Sequence, residues 1–168
     1  MKQALADAQA TESLGAQLGR VVTTGIIYLN GDLGAGKTTL ARGLLRALGH
    51  TGKVRSPTYT LVEPYALESR QVYHLDLYRL ADAEELEWLG LRDMLADPAL
   101  LLVEWPERGS GYLPPADLSI DLDFSGAKKR FLLVFTVMAC LFTAGLFFAT
   151  PGQVAIGMGF FIDRKSVV

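Results

Sequence analysis

Gly25-Ile26-Ile27-Tyr28-Leu29-Asn30 runs directly into Gly31-Asp32-Leu33-Gly34-Ala35-Gly36-Lys37-Thr38-Thr39, and the reading of this stretch decides the fold. The first six residues form an apolar run of strand length. The next eight match the pattern G-x-x-x-x-G-K-[ST]. Beyond them Leu40, Leu44, Leu45 and Leu48 fall on one stripe of a helix, and Gly49 supplies a C-terminal stop. A glycine-rich turn can match by chance. A strand before it and an amphipathic helix after it supply the context of a true phosphate-binding loop.

The chemistry needs this spacing. Glycines let backbone N–H groups turn inward around a phosphate, and the helix beginning near Lys37 points the positive end of its dipole at the same anion. The cradle is then Gly31, Asp32, Leu33, Gly34, Ala35 and Gly36. Lys37 neutralises the β- and γ-phosphates, the Thr38 hydroxyl can ligate Mg²⁺, and Thr39 reaches the α-phosphate. Guanine-specific loops use N/T-K-x-D. Asn30 is the single Asn, and neither Lys53 nor Lys128-Lys129 sits in such a motif, so ATP is the expected nucleotide by elimination.

Such a loop works beside an acid that holds Mg²⁺ or orients the attacking nucleophile. Leu100-Leu101-Leu102-Val103-Glu104 has the form of a buried strand ending in a carboxylate, which makes Glu104 the first candidate. Asp76, in His74-Leu75-Asp76-Leu77-Tyr78-Arg79, ends a second strand and is equally readable as an ordinary strand-end carboxylate. Glu84, Glu85 and Glu87 read as a solvated helix face. His50 and His74 read as structural, since nothing near them has metal-ligand spacing. Trp105 reads as core or rim.

The remaining pattern surrounds this centre. Thr11-Glu12-Ser13 before Leu14 and Leu18 predicts a short capped helix. Thr58 to Tyr65 and Gln71 to Leu77 predict strands joined by a loop at Ala66 to Arg70. Asp82 to Leu89 predicts a helix with an acidic first turn, and Leu91 to Leu95 a second, stopped by Asp97-Pro98. Leu118 to Phe124 alternates strictly and predicts a half-exposed strand. Strands interleaved with helices give an α/β class: a three-layer P-loop NTPase-like domain with a largely parallel central sheet.

Composition bounds the rest. The chain has 168 residues, a formal charge of −2 and one cysteine, Cys140. That balance argues against gripping nucleic acid alone, and a lone cysteine excludes an internal disulfide framework. Met1 to Gly19 lacks the apolar run of a secretory signal, so a cytoplasmic location is expected. The charges are unevenly spread. Through Arg130 there are 14 Lys/Arg and 17 Asp/Glu, whereas Phe131 to Ile162 carries neither charge nor histidine. We therefore divide the chain into a P-loop ATPase domain, 1–130, whose last strand could reach 137, and a hydrophobic tail, 138–168. The uncharged stretch exceeds the roughly 20 residues that span a bilayer. Lys128-Lys129-Arg130 before it would keep the domain in the cytosol. A membrane contact follows only if that tail is genuine. A frame or assembly junction accounts for so foreign an end more simply.

Four blocks in order, Gly31 to Thr39, Ser56 to Tyr65, His74 to Arg79 and Val103 to Glu107, resemble the TsaE (YjeE) family of small bacterial P-loop ATPases over about Thr11 to Arg130. The resemblance implies action with TsaD and TsaB in forming threonylcarbamoyladenosine on tRNA, with tRNA touched only indirectly and ATP hydrolysis supporting repeated turnover. It assigns Lys37 and Thr38 to phosphate and Mg²⁺, Glu104 to the Mg²⁺ site, and Asp76 to a second functional acid acting on metal or water. Ser56 to Thr60 matches a switch-like loop near the γ-phosphate, and Trp105 the place where nucleotide state is sensed. A basic nucleotide contact near the last strand falls at Arg130, with Lys129 as the neighbouring choice. Rival readings are a small-molecule kinase, for which Arg79, Arg92 and Arg108 form no evident lid, and a nucleotide-gated binding module without significant turnover.

Overall fold

A computed structural model describes residues 2–68, 70–96, 98–125 and 129–135. The hydrophobic tail, 138–168, lies outside them, as does Lys128. The strands are β1 (Lys2–Leu5), β2 (Gly25–Asn30), β3 (Val62–Leu67), β4 (Arg70–Asp76), β5 (Ala99–Glu104), β6 (Leu118–Ser125) and β7 (Lys129–Phe135). The helices are α1 (Ala8–Val21), α2 (Lys37–Ala47), α3 (Glu85–Trp88) and α4 (Leu91–Ala96), with a 3₁₀ turn at Pro106–Gly109. Among the described residues one seven-stranded sheet has the order β1-β7-β6-β2-β5-β4-β3. Its four middle strands are mutually parallel. Antiparallel pairings with β3, β7 and β1 extend it at the two sides.

The sheet is the middle of three layers, and the period of two along β5 shows why. All six of its residues are buried. Leu100 and Leu102 join Leu14, Leu40, Leu44 and Leu45 under α1 and α2. Ala99, Leu101 and Val103 join Leu77, Leu86 and Leu91 on the other face, under the short helices. A continuous apolar run is what a central parallel strand requires. Truncating Leu102 to Ala would cost about 2–5 kcal/mol.

The two helical layers differ in build. Helices α1 and α2 cross so closely that a Cβ on Gly15 would lie 2.1 Å from the Leu40 carbonyl oxygen, and one on Gly43 2.0 Å from that of Glu12. Glu12 also ties the pair by accepting from Arg42 at 3.0 Å and Arg46 at 2.9 Å. On the opposite face α3 is a single turn, and its Trp88 is exposed.

Several boundaries differ from the pattern-based reading. Helix α1 starts before Thr11, because Asp7 caps it by accepting from the Ala10 N–H at 2.7 Å. Thr11 is instead buried, its hydroxyl donating to the Asp7 carbonyl. The strand expected from Thr58 begins at Val62. Residues before it turn, with the Leu61 N–H donating to the Pro57 carbonyl, and Leu61 itself has φ +62°. The helix expected from Asp82 shrinks to Glu85–Trp88. Strand β3, at the sheet's edge, carries exposed Glu63 and Pro64.

Candidate functional site

Strand β2 has parallel neighbours on both sides, β5 and β6, so the loop leaving its C-terminal end opens at the crevice where ligands bind α/β sheets. Gly31 turns there with φ +129°, against the Leu122 carbonyl, leaving no space for a side chain. Gly36, with φ +107°, caps α2 in a left-handed conformation that only glycine adopts cheaply. Asp32, Leu33 and Gly34 are exposed at the rim, Ala35 is buried, and Thr38 and Thr39 lie half-buried on the first turn of α2.

The Lys37 ammonium is folded into this loop. It donates to the carbonyls of Gly31 at 2.5 Å and Asp32 at 2.8 Å, and lies 4.0 Å from the centre of the Trp105 ring. Burial lowers its pKa below the ordinary lysine value, while Glu104, Asp76, Glu107 and Asp32 pull it back up. A cation held on backbone carbonyls and an aromatic face is poised for a better anionic partner.

Both carboxylates expected from the sequence converge here. Asp76 and Glu104 are register partners at the ends of β4 and β5, and each is only 3% exposed. Glu104 Oε1 accepts from the Thr38 hydroxyl at 2.8 Å and is joined to His74 Nε2 at 2.9 Å. Asp76 Oδ2 accepts from the hydroxyls of Ser56 and, at 2.7 Å, Thr58; its Oδ1 accepts from the Tyr78 N–H at 3.1 Å. The loop before β3 is thereby fastened to the end of β4. The Asp76 N–H donates to the Leu61 carbonyl and the Leu77 N–H to that of Glu104, which fixes the backbone as well.

His74, read as structural, stands beside this centre, and so does Trp105, which the residues alone place in core or rim and the family resemblance places near the nucleotide. His74 is fully buried on the Glu104 carboxylate rather than serving the core alone. The signal for it was its place two residues before Asp76 on one strand, which puts both side chains on the same face. Trp105 is part of the site through Lys37. Its φ of +59° and its contact with Tyr78, ring centres 5.0 Å apart, turn it over the loop. His50 is half-buried at the edge of the core, edge-on to Tyr65 at 4.8 Å. Arg130 sits in β7 opposite Phe124 of β6, toward the sheet end where the loop opens. The arginines that a kinase lid would need are scattered, as the sequence suggests: Arg79 lies over the exposed Tyr59 ring, and Arg92 pairs with Glu87.

The donor set fits Mg²⁺ shared with a nucleotide. It offers a hydroxyl and carboxylates, the hard oxygen ligands that Mg²⁺ takes in small number alongside phosphate oxygens. Among the described residues, no cluster of three or more His, Cys, Asp or Glu makes a self-sufficient metal cage.

The family model for "Threonylcarbamoyl adenosine biosynthesis protein TsaE" matches residues 5–132. The tRNA threonylcarbamoyladenosine biosynthesis protein TsaE of Haemophilus influenzae is 57% identical over 109 residues, 65% of this chain and 69% of that one. The protein of the same name from a Nostoc species is 40% identical over 133 residues, covering 75% and 80%. The crystal structure of YdiB from Bacillus subtilis superposes with a TM-score of 0.70 at 27% identity, over 82% of this chain and 86% of that one. No helix among the described residues is long and apolar enough to cross a membrane.

Proposed function

This chain belongs to the TsaE family of tRNA threonylcarbamoyladenosine biosynthesis, and we propose that within that process it is the Mg²⁺-dependent ATPase. The observation that carries the reading is the junction of Lys37, Thr38 and Glu104 at the mouth of a glycine-lined loop. ATP is the substrate. TsaB and TsaD are the protein partners, tRNA is engaged only through them, and the work is cytoplasmic. The catalytic unit is the domain at 1–130 with its last strand, and the tail at 138–168 takes no part.

The roles follow from the chemistry of each group. Lys37 exchanges the carbonyls of Gly31 and Asp32 for β- and γ-phosphate oxygens, gaining a charged partner for a buried cation. Loop amides from Gly31 to Thr39 donate to the same phosphates, and Arg130 adds a positive group from β7. Thr38 and Glu104, with Asp76 nearby, hold the cation. Mg²⁺ supplies neutralisation of charge building on the phosphate oxygens. Asp76 orients the attacking water and receives its proton. Water attacks the γ-phosphorus in line, its oxygen forms the new bond, and the bond to the bridging oxygen of ADP breaks. The products are ADP and inorganic phosphate.

Phosphate release measured without any acceptor tests the enzymatic claim: a strict kinase or a passive nucleotide-gated module would release almost none. Reconstitution of the tRNA modification with TsaB and TsaD, with the chain whole and cut after residue 137, tests the partners and the domain boundary. Modification that proceeds through many turnovers equally well without this chain would overturn the coupling.

A further inference from the structure

We infer that His74 is a positioning residue for the cation site: it holds Glu104 in the orientation that serves the metal. This rests on Glu104 being the Mg²⁺-side acid, as proposed above, and assigns the neighbour that keeps it there.

The geometry is specific. Glu104 Oε1 receives two groups, the Thr38 hydroxyl at 2.8 Å and His74 Nε2 at 2.9 Å. A carboxylate only accepts, so Nε2 carries the hydrogen in this contact. The other ring nitrogen, Nδ1, is buried without a hydrogen-bond partner among the described residues. A buried polar atom left unpaired costs about 1–3 kcal/mol. A purely apolar side chain would avoid that cost, so the ring is a poor choice for filling the core. What the histidine adds is one directed donor, aimed at one carboxylate oxygen.

Strand geometry explains why the donor comes from here. His74 pairs in register with Leu102, and Asp76 with Glu104. All four lie on the sheet face that α2 covers, because residues two apart share a face. The imidazole thus reaches Glu104 from the neighbouring strand β4, on the side away from the phosphate loop. Thr38 holds the same carboxylate from the loop side, on the helix that must also receive the nucleotide. Of the two anchors, His74 is the one on the far side of β5 from the phosphate loop. Outer partners that orient a metal-ligating carboxylate typically contribute 10–100-fold in metal affinity.

The test uses the full chain with ATP and Mg²⁺, and with Mn²⁺ as a spectroscopic probe of the cation bound beside the non-hydrolysable analogue AMP-PNP. His74→Leu removes the donor while keeping the volume. His74→Asn retains polarity on a side chain too short to reach Glu104, and covers the case in which the Leu variant does not fold. His74→Gln restores a donor with the reach of Nε2. The expectation is a rise of roughly tenfold or more in half-saturating Mg²⁺ and in the Mn²⁺ dissociation constant for the Leu and Asn variants. ATP affinity without divalent cation should stay within about twofold in both, because nucleotide contacts are untouched. His74→Gln should recover most of the loss. Metal dependence unchanged in Leu and Asn variants, beside a clear shift in Glu104→Gln, overturns the role of His74 alone. No shift in Glu104→Gln overturns the assignment of Glu104 and the role of His74 with it.

Discussion

Glu104 and Asp76 stand side by side, equally buried, at the ends of neighbouring parallel strands, yet they are held in opposite ways. Glu104 is gripped by regular structure: Thr38 from α2 on one side and His74 from β4 on the other. Asp76 is gripped by irregular backbone, through the hydroxyls of Ser56 and Thr58 in the loop before β3 and the N–H of Tyr78 in the turn after β4. A group anchored to a sheet and a packed helix keeps its place at little entropic cost. One fastened to a loop moves when the loop moves. Glu104 therefore suits a constant duty, such as holding a cation. Asp76 suits a conditional one, and Ser56 and Thr58 are the contacts through which loop conformation reaches it.

The largest effect that would break this contrast is in turnover. Glu104→Gln should lower ATP hydrolysis by about 100-fold or more while changing nucleotide affinity far less, as expected for a group that matters most in the transition state. Phosphate release beside nucleotide titration measures both; near-wild-type turnover would remove the assignment. Asp76→Asn should cost about 100-fold in turnover, the lower end of the roughly 10²–10⁴-fold that a general base contributes, with half-saturating Mg²⁺ shifted far less than in Glu104→Gln. Equal shifts in Mg²⁺ dependence for both variants would mean that the two acids share one duty.

Smaller and sharper is the loop itself. Ser56→Ala with Thr58→Val should reduce turnover by about tenfold or less, since the acid remains but loses its fastening. The cation should bind as before. A Mg²⁺ dependence moved by this pair would dissolve the distinction between fixed and conditional. The most delicate measurement concerns Lys37, which both acids face. Phosphates favour its charged form, so nucleotide affinity should fall as pH rises through its depressed pKa. Glu104 raises that pKa more than Asp76 does. Removing either charge should move the alkaline fall in affinity to lower pH, with Glu104→Gln moving it further than Asp76→Asn. The reverse order, in binding titrations at stepped pH, would contradict the contacts described.

Much of this was legible from residues alone because local rules and tertiary demands agree there. An apolar strand, a glycine-rich turn and a leucine-striped helix each prefer what the fold requires, so β2, the loop and α2 emerge where the pattern puts them. Leu100 to Glu104 reads as a buried strand ending in an acid for the same reason. The approach to β3 was misread because Thr58 and Tyr59 favour strands intrinsically, while Asp76 draws the Ser56 and Thr58 hydroxyls into a turn. Asp7 was missed as the cap because Thr11 and Ser13 offer competing signals. The contacts of His74 and Trp105 are with partners 30 and 68 residues away in the chain, Glu104 and Lys37, which spacing and periodicity do not announce; only the family resemblance pointed to Trp105.

Pro64 brings a different consequence. Among the described residues it stands on β3, the last strand on its side of the sheet, beside an exposed glutamate. Proline has no N–H to offer an incoming strand, and a charged neighbour makes stacking of copies unfavourable. Proline and charge together disfavour growth of this margin by strand addition, whether from another molecule of the same chain or from an extended peptide. Associations on this flank are favoured where side chains and loops, which can be made and released, carry them rather than a shared backbone ladder.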